Sequence, residues 1–503
     1  MKILLVYPQY PDTFWSFKHA LRFILRKAAF PPLGLLTVGA MLPKEWEKRL
    51  VDLNTRPLTE KDINWADYVF ISSMVIQRDS TKEIIQRVKK LGVKIVAGGP
   101  LFTTEPEEFD DIDHLILNEA EITLPQFLYD LEKGNPRHVY TTDKHPAVTD
   151  TPLPMWSLIN MKKYSSMSLQ YSRGCPFNCE FCDITFLDGR IPRTKSKEQV
   201  IAELDAIYSR GWRGSLFIVD DNFIGNKNKL KEETLPAIIE WQKSKKYPFG
   251  LFTEVSINLV DDESLMQLMT RAGFNKVFIG IETPNEASLT ECNKSQNANR
   301  DLVGAVKKIH NFGLEVMAGF IVGFDSDPAS IFRAQINFIQ RSGIVTAMVG
   351  LLNAPRGTRL YQRLKGENRL IKENISGDNT DFSLNFIPKM NRDSLINGYR
   401  NILNTIYAPK QYYARIKTLL NEYKPKTRVR LSPIKWHYIL GLINIIWFLG
   451  IVEKGRRHYW KLFMSTLFTR PRRFPLFMTL AAYGYHFRKV IRKQVQAAAR
   501  HTA

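Results

Sequence analysis

The order of short apolar runs along the chain limits its fold more than any other feature. Five such runs alternate with polar, helix-compatible stretches: KILLVYP (2–8), KRLVDLN (48–54), DYVFISSM (67–74), VKIVAGGP (93–100) and HLILNEAE (114–121). This alternation predicts a doubly wound parallel sheet with helices on both faces, an α/β domain that we place at residues 1–140. Ligands of such sheets bind beyond the carboxyl ends of the strands.

A second series of apolar runs follows a proline-containing linker at 141–166. It comprises MSLQYSR (167–173), SLFIVDD (215–221), GLFTEVSIN (250–258), KVFIGIE (276–282), EVMAGFIVGF (315–324) and TAMVGLL (346–352). Six strand–helix units predict an incomplete (β/α)6 barrel over 167–355, with its chemistry at the carboxyl ends of the strands. We expect a mixed, polar C-terminal extension at 356–430 and a mainly helical, basic and aromatic tail at 431–503.

Three of the four cysteines lie close together in CPFNCEFC, residues 175–182, and Cys292 is far from them. The opening MKILLVYP is too short for a secretory signal, so we expect a cytoplasmic chain whose reduced thiols bind metal. Three thiolates suit zinc or an iron–sulfur cluster. A closed zinc site requires a fourth Cys or His, and the nearest histidines are His145 and His310. A [4Fe-4S] cluster held by three thiolates leaves one iron open to a small molecule.

The stretch SRGCPFNCEFC resembles the signature of radical S-adenosylmethionine (SAM) enzymes. The resemblance implies that Cys175, Cys179 and Cys182 hold a [4Fe-4S] cluster whose open iron binds SAM. It also implies SAM contacts beside the cysteines and at the strand ends: Phe181, Asp220, Asp221, Asn222, Glu254, Ser256, Asn258, Gly280 and Glu282. A simpler interpretation of these strand-end positions is helix capping by the acidic residues and close packing at the glycine.

The N-terminal sheet, flavodoxin-like and placed before such a barrel, resembles the cobalamin-binding domain of the B12-dependent branch of that family. The resemblance implies cobalamin contacts at the ends of three strands: Ser72, Ser73, Gly98, Gly99, Pro100, Asn118 and Glu119. The AGGP stretch by itself is typical of a tight turn out of a buried strand. An Asp-x-His-x-x-Gly motif is absent, because the corresponding region reads YPQYPDTFWSFKH. We therefore expect cobalt without a histidine ligand from this chain, or a degenerate domain that has lost cobalamin.

The combined domains resemble class B radical SAM methylases. The resemblance implies methylation of an unactivated carbon and an external electron donor such as flavodoxin or ferredoxin. Rearrangement, cyclisation or oxidation without methyl transfer stays open, as does a non-catalytic scaffold with a structural metal. RNA methylthiolation would require cluster cysteines that the chain lacks. Cys292 is either a small buried hydrophobe or a catalytic hydrogen-atom donor or substrate contact at the barrel mouth.

The tail carries most of the chain's positive charge. Residues 410–503 contain 20 Lys and Arg but only Glu422 and Glu453, and so hold +18 of the net +21. Basic residues flanking the apolar stretch WHYILGLINIIWFLG are typical of a segment that contacts an anionic membrane surface. RNA contact and a helical subdomain packed against the barrel are the alternatives, and nucleic acid fits less well because the stretch is so apolar.

A membrane-facing methylase predicts a lipid-like substrate and a peripheral location at the inner face of the membrane. The stretches GRIPRTKS, GWRGSLFIVDDNFIGNK, GIETPNEASL and GLLNAPRGTRLY resemble the subgroup that contains the hopanoid C-2 methylase. That subgroup also carries a C-terminal extension. Hopanoid methylation is thus one candidate reaction among several.

Overall fold

The structure is a computed structural model that describes residues 1–425 and 436–501. Its first part is built on a six-stranded parallel sheet. Its order is β2-β1-β3-β4-β5-β6, which confirms the expected flavodoxin-like fold. The strands are β1 Lys2–Tyr7, β2 Glu47–Asp52, β3 Tyr68–Ser72, β4 Lys94–Gly98, β5 His114–Ile116 and β6 Val139–Tyr140. The helices are α1 Lys18–Leu21, α2 Leu33–Met41, α3 Glu60–Asn64, α4 Arg78–Lys90, α5 Pro100–Thr104 and α6 Ala120–Glu132.

Both faces of this sheet are buried, as the continuous apolar runs of its strands require. Alternate residues of β1 point to opposite faces. Leu4 and Val6 belong to one apolar cluster, and Ile3 and Leu5 belong to another. The sequence did not predict β6, because two residues are too few to show a periodic pattern.

The second part is a six-stranded parallel sheet in the order β14-β13-β12-β11-β10-β7, which confirms the partial barrel. Its strands are β7 Ser166–Leu169, β10 Gly214–Ile218, β11 Phe249–Glu254, β12 Phe274–Glu282, β13 Glu315–Val322 and β14 Ala347–Leu351. Between β7 and β10, β8 (Ser172–Arg173) and β9 (Arg193–Thr194) pair as a short antiparallel ribbon. All six predicted barrel strands form.

The barrel helices begin and end at residues whose chemistry favours those positions. They are α7 Ile184–Leu187, α8 Lys197–Ser209, α9 Lys227–Lys229, α10 Leu235–Ser244, α11 Glu263–Ala272, α12 Glu286–Glu291, α13 Leu302–Phe312, α14 Ile331–Ser342 and α15 Arg359–Gly366. Ser196 and Gln199 form a capping box at the start of α8. Gly273 and Gly313, at φ of 101° and 95°, end α11 and α13 in the left-handed conformation that glycine tolerates.

The C-terminal part is helical and packs against the barrel. Its helices are α16 Arg392–Ile406, α17 Pro409–Glu422, α18 Trp436–Trp447, α19 Arg456–Thr469 and α20 Phe474–His501, with a π-helical turn at Phe448–Val452. Tyr412 of α17 donates its hydroxyl hydrogen to the Leu480 carbonyl of α20 at 2.7 Å. The predicted boundary between extension and tail, at 430/431, lies outside the described residues, and the domain limits stay predictions.

Much of the tail belongs to the hydrophobic core of the barrel, so the tail is not a separate segment. Buried residues of α19 and α20, including Tyr459 and Phe487, join the same apolar cluster as the barrel strands. The arrangement is the one expected for a helical subdomain that buries an apolar face. Within residues 1–425 and 436–501, no helix has the length and apolar character needed to cross a membrane.

An N-terminal segment, residues 12–25, lies between the barrel and the tail, and we call it the strap. Phe14 stacks on Phe487 of α20 with ring centroids 4.0 Å apart. The Nε2–H of His486 donates to the carbonyls of Thr13 and Phe14 at 3.1 and 3.0 Å. The strap therefore joins the first and last parts of the chain, a long-range contact that local sequence patterns do not predict.

Candidate active site

The three clustered cysteines lie in a loop, residues 174–192, that the β8–β9 ribbon closes at its base. Gly174 has φ of 90°, and a Cβ there would lie 2.7 Å from the Ile191 carbonyl oxygen, so only glycine fits this entry to the loop. The backbone N–H of Cys175 donates to the Gly189 carbonyl at 3.2 Å. The sequence places the loop directly after the first barrel strand, at the carboxyl edge of the sheet.

The buried carboxylate of Asp220 holds the chain in place just before this loop. It accepts hydrogen bonds from the backbone N–H groups of Tyr171 and Ser172, both at 2.8 Å, and from the Ser172 hydroxyl at 2.6 Å. Burial raises the pKa of Asp220 to about 6. The Asp220 carboxylate thus bonds the chain just ahead of the cysteine loop, and its predicted contact with SAM stays a prediction.

The three thiols have polar neighbours but are spread apart. The side-chain amide of Asn222 lies 3.9 Å from the Cys175 sulfur, and that of Gln296 lies 3.8 Å from the Cys179 sulfur. Burial raises the pKa of the Cys175 and Cys182 thiols, so a metal is needed to hold them as thiolates.

The donor set is that of an iron–sulfur cluster. In the described part of the chain, the three sulfurs do not all lie within 4.8 Å of one another. Three thiolates suit a [4Fe-4S] cluster with one open iron, and Cys175, Cys179 and Cys182 would hold it.

Lys294 and Glu282 form an ion pair beside the cysteines. The Lys294 ammonium lies 2.7 Å from a Glu282 carboxylate oxygen and 5.8 Å from the centre of the Phe181 ring. Burial lowers the pKa of Lys294, but Glu282 and the Cys179 sulfur outweigh burial and raise it above its usual value. A Cβ at Gly280 would lie 2.8 Å from this ammonium, so the glycine makes room for the pair.

Sequence reasoning selected Glu282, Gly280 and Phe181 but missed Lys294 and Gln296. Both missed residues lie in the loop that follows α12, well after the end of β12. A loop without periodicity gives no sequence signal for which of its side chains returns to the strand edge. Glu282 has φ of 62°, a strained conformation for a non-glycine residue that is concentrated at functional sites.

The ends of β10 and β11 bring four other predicted SAM contacts together. The Asn222 side-chain oxygen accepts a hydrogen bond from the Ser256 backbone N–H at 3.2 Å, and the Ser256 hydroxyl donates to Asn258 at 2.7 Å. These three residues line a cavity of about 420 Å³ that also reaches Pro176 of the cysteine loop. Burial raises the pKa of Glu254 to about 7, with the Asp220 charge adding to the effect.

Asp221 lies in the same group of carboxylates. Burial raises its pKa well above the usual value, and Asp188, Glu254 and Asp220 add to the shift. An environment with several nearby carboxylates favours a cationic ligand, which lowers their mutual repulsion. The amine and sulfonium of SAM are groups of that kind.

The predicted cobalamin contacts meet at the carboxyl edge of the first sheet, since the strands that carry them are parallel. Gly99 has φ of 94°, and a Cβ there would lie 2.9 Å from the Ser72 hydroxyl oxygen. Gly99 precedes α5, and Pro100 is the first residue of that helix. Ser73 is buried and its hydroxyl is 2.6 Å from that of Thr81, so its side chain is occupied within the domain.

The last predicted contacts follow β5 and have different roles. Asn118 has φ of 61° and accepts a hydrogen bond from the Thr141 hydroxyl at 2.8 Å. Glu119 is buried and pairs with Arg173 at 2.7 Å and with Arg193 at 2.9 Å. Because these arginines belong to β8 and β9, the ion pairs join the ends of the first sheet to the base of the cysteine loop.

Gly98, the remaining predicted contact, ends β4 at a point where the backbone comes close to a neighbouring strand. A Cβ at Gly98 would lie 2.6 Å from the Ile116 carbonyl oxygen of β5. Gly98 and Gly99 thus leave the backbone at this edge of the sheet uncovered by side chains of their own. Such a backbone edge fits a large planar cofactor that approaches the strand ends.

Cys292 lies behind the cysteine loop. It is 1% exposed, its sulfur lies 3.6 Å from the Leu289 carbonyl oxygen, and its own carbonyl accepts from the Glu180 backbone N–H at 2.9 Å. Burial raises the pKa of its thiol. These contacts are those of a small buried side chain that supports the loop, and its catalytic role stays a prediction.

A three-cysteine loop at the mouth of a partial barrel, facing the strand ends of a flavodoxin-like sheet, defines a radical SAM enzyme with a cobalamin-binding domain. Three family models match: the B12 binding domain at residues 23–128, the radical SAM superfamily at 169–337 and a domain of unknown function, DUF4070, at 358–500. The cofactors of this protein are therefore a [4Fe-4S] cluster, SAM and cobalamin.

Two relatives match nearly the whole chain. An uncharacterized methyltransferase of Synechocystis is 41% identical over 98% of this chain and 93% of its own. The hopanoid C-2 methylase of Rhodopseudomonas palustris is 35% identical over 93% of this chain and 89% of its own. The chain thus belongs to the family of cobalamin-dependent radical SAM methyltransferases, and it is an enzyme rather than a metal-binding scaffold.

Solved structures share the whole fold at low sequence identity. The radical SAM methyltransferase TsrM of Kitasatospora setae, with cobalamin and a [4Fe-4S] cluster bound, aligns with a TM-score of 0.62 at 14% identity, covering 99% of both chains. The cobalamin-dependent SAM radical enzyme OxsB aligns with a TM-score of 0.60 at 14% identity, covering 100% of this chain and 81% of its own.

Proposed function

We propose that this enzyme transfers a methyl group to an unactivated carbon of a lipid-like, apolar substrate bound inside the barrel. The supporting observation is the apolar character of the barrel interior. Alternation along the strands turns Phe217, Phe252 and Phe278 away from the outer helices, toward the concave face of the sheet. A polycyclic lipid such as a hopanoid, the substrate class in the name of one relative, is one candidate.

The interior aromatic side chains form a wall made of two contacting groups. Phe217 and Phe252 stack with centroids 4.7 Å apart and planes 8° from parallel, and Phe30 lies 5.2 Å from Phe217. On β12, the strand that pairs with β11, Phe278 lies 5.5 Å from Trp15 of the strap, whose indole N–H lies 3.0 Å from the Met348 sulfur.

The wall aromatics Phe217, Phe252, Phe278, Trp15 and Phe30 are half-buried, so each leaves apolar surface toward the interior. Ligand sites lined mainly by aromatic and aliphatic groups bind apolar ligands and orient them through shape.

When bound, the cluster with SAM supplies a 5'-deoxyadenosyl radical and cobalamin carries the methyl group. The chain itself contributes position and protection from water. Cys175, Cys179 and Cys182 would hold the cluster, and Asn222 and Ser256 would orient SAM at the adjoining cavity. Removal of a hydrogen atom requires no general base, so placing the target carbon correctly dominates catalysis.

The proposal includes an external electron donor, such as flavodoxin or ferredoxin, and a location at the inner face of the membrane. Support for the location comes from the basic tail and from the apolar interior, which fits a substrate that is stored in lipid. A nucleic-acid partner is not part of the proposal, because the interior has apolar walls in place of the basic groove that a polynucleotide requires.

Methyl-labelled SAM tests the proposal directly. Anaerobically reconstituted enzyme, a reductant and a detergent-solubilised membrane lipid extract should give a labelled lipid together with 5'-deoxyadenosine. The Cys179→Ala variant should give neither product. Formation of 5'-deoxyadenosine in the presence of lipid but without transferred label would contradict methyl transfer and favour rearrangement, cyclisation or oxidation.

A further inference from the structure

The second half of α18 and the π-helical turn after it expose large apolar side chains on one side. Ile443 is 56% exposed, Trp447 56% and Ile451 51%. The three residues are spaced by four, which places them on one helical face. The opposite face, with Ile445 and Leu449, is buried in the core. The exposed residues are therefore not needed to hold α18 against the protein.

Helix α19 repeats the pattern. Met464 is 47% exposed and Phe468 is 77% exposed. The exposed basic residues Arg457 and Lys461 precede them at the same helical spacing, so that cations and apolar groups share one face. We call the exposed residues Ile443, Trp447, Ile451, Met464 and Phe468, together with Arg457 and Lys461, the tail face.

The charge around the tail face has a single sign. The only acidic residue between 436 and 501 is Glu453, which is buried and lies 3.5 Å from Arg488. Exposed Lys454, Arg456 and Arg472 add to the cations of α19. A second copy of this surface would bring like charges together, whereas a layer of anionic lipid headgroups complements them.

We propose that the tail face rests on an anionic lipid bilayer, with Trp447 and Phe468 inserted among the acyl chains. Exposed apolar patches of this kind mark interaction surfaces, and burying each large side chain in a membrane is favourable. Cations at the rim strengthen the attachment to anionic headgroups. The helices lie along the surface and do not cross it.

The strap connects this face to the barrel interior. Phe23 lies 5.9 Å from Phe448, next to Trp447, and its carbonyl oxygen is close to Gly441 of α18. Closer to the N-terminal end of the strap, Phe17 contacts Tyr483, and Trp15 contacts Phe278 in the barrel interior. A bilayer at the tail face would thus lie at one end of the strap, whose aromatic side chains extend to the barrel interior where the substrate is proposed to bind. The connection from the tail face to the substrate rests on the proposed function, because it requires a lipid-like substrate. Attachment of the tail face to a bilayer does not require that reaction.

Co-sedimentation of full-length holoenzyme with vesicles tests the inference. The probes are vesicles of phosphatidylcholine alone and of equal parts phosphatidylcholine and phosphatidylglycerol. The enzyme should bind the anionic vesicles, less at high salt. Trp447→Ser and Phe468→Ser should each weaken binding about tenfold. The matched control is Tyr129→Ser, since Tyr129 is 62% exposed on the N-terminal domain, and its binding should equal wild type.

Three results would overturn the inference. The first is that wild type does not bind vesicles. The second is that Trp447→Ser and Phe468→Ser bind vesicles as well as wild type does. The third is that wild type forms a dimer in sedimentation velocity that both variants abolish. Turnover of detergent-solubilised lipid separates this inference from the proposed function. Methyl transfer without vesicle binding refutes docking, and with it the proposed membrane location, but leaves the proposed reaction standing. Vesicle binding without methyl transfer supports docking and refutes the proposed reaction.

Discussion

At the residue scale, Lys294 and Gln296 are two groups beside the cysteines that sequence patterns could not identify. The cysteine signature, by contrast, was readable because its spacing is itself the ligand pattern. Strand-end residues such as Asn222 and Glu254 were predicted from the family resemblance, and the parallel strands bring them to one edge. Lys294 and Gln296 come from a loop whose return to that edge depends on tertiary packing.

Replacing Lys294 with Met should have two separable effects. It leaves the buried Glu282 carboxylate without its partner, which should destabilise the fold by about 3 kcal/mol. It also removes a cation beside the thiolates, which should move the cluster to a more negative reduction potential. Thermal unfolding and an anaerobic redox titration measure the two effects.

The double variant Lys294→Met with Glu282→Gln is the control for that change. Most of the stability should return, because no unpaired charge stays buried, while the potential should stay low. An unchanged potential in both variants would show that the ammonium does not act on the cluster.

His486 makes stability depend on pH. Burial lowers its pKa to about 4, and Asp12 and His19 are the titratable groups that face it. Because the unfolded chain binds this proton below a pH of about 6.5, stability should fall between pH 6.5 and 4 by up to about 3 kcal/mol. The bond between His19 and Asp12 lowers the pKa of Asp12 to about 2, so its own contribution is lost only at lower pH.

The variant His486→Gln keeps an N–H donor for the Thr13 and Phe14 carbonyls but does not titrate. Its thermal midpoint should fall less than that of wild type between pH 7.5 and 5. Equal losses in the two proteins would assign the acid sensitivity to other groups.

At the element scale, strands were predicted well and contacts between distant segments were not. The eleven apolar runs all became strands because burial on both faces leaves a strong local signal. The ribbon of β8 and β9 has two residues on each side, too short for a pattern. The strap could not be predicted because its partners are distant in sequence, as the contact of Thr13 with His486, 473 residues away, shows.

Close packing of α20 on α17 gives a prediction for this element. A Cβ at Gly484 would clash with the Tyr412 ring, which is fully buried and fixed by its hydrogen bond to the Leu480 carbonyl. Gly484→Ala should therefore destabilise the protein by about 1–3 kcal/mol, although alanine favours a helix.

Gly366, the last residue of α15, is the matched control because a Cβ there meets nothing within 4 Å. Gly366→Ala should leave the thermal midpoint unchanged or raise it slightly. A loss equal to that of Gly484→Ala would show that the Tyr412 contact is not the cause.

At the scale of the whole molecule, two α/β sheets turn their ligand-binding edges toward each other. Glu119 pairs with Arg173 and Arg193 across that junction, which sets the cysteine loop beside the first sheet. The sequence predicted both folds and both edges. It could not predict how they face each other, and it offered packing of the tail against the barrel only as an alternative, because those contacts depend on surfaces with no local signature.

The central claim is that three thiolates leave one iron free for SAM in a chain that also carries cobalamin. Electron paramagnetic resonance of anaerobically purified, reduced enzyme, recorded with and without SAM and with iron and cobalt quantified, tests it most directly. We expect a [4Fe-4S] signal that changes when SAM is added, with one cobalt per chain. A cluster signal indifferent to SAM, or a single metal ion held by the three sulfurs, would contradict it.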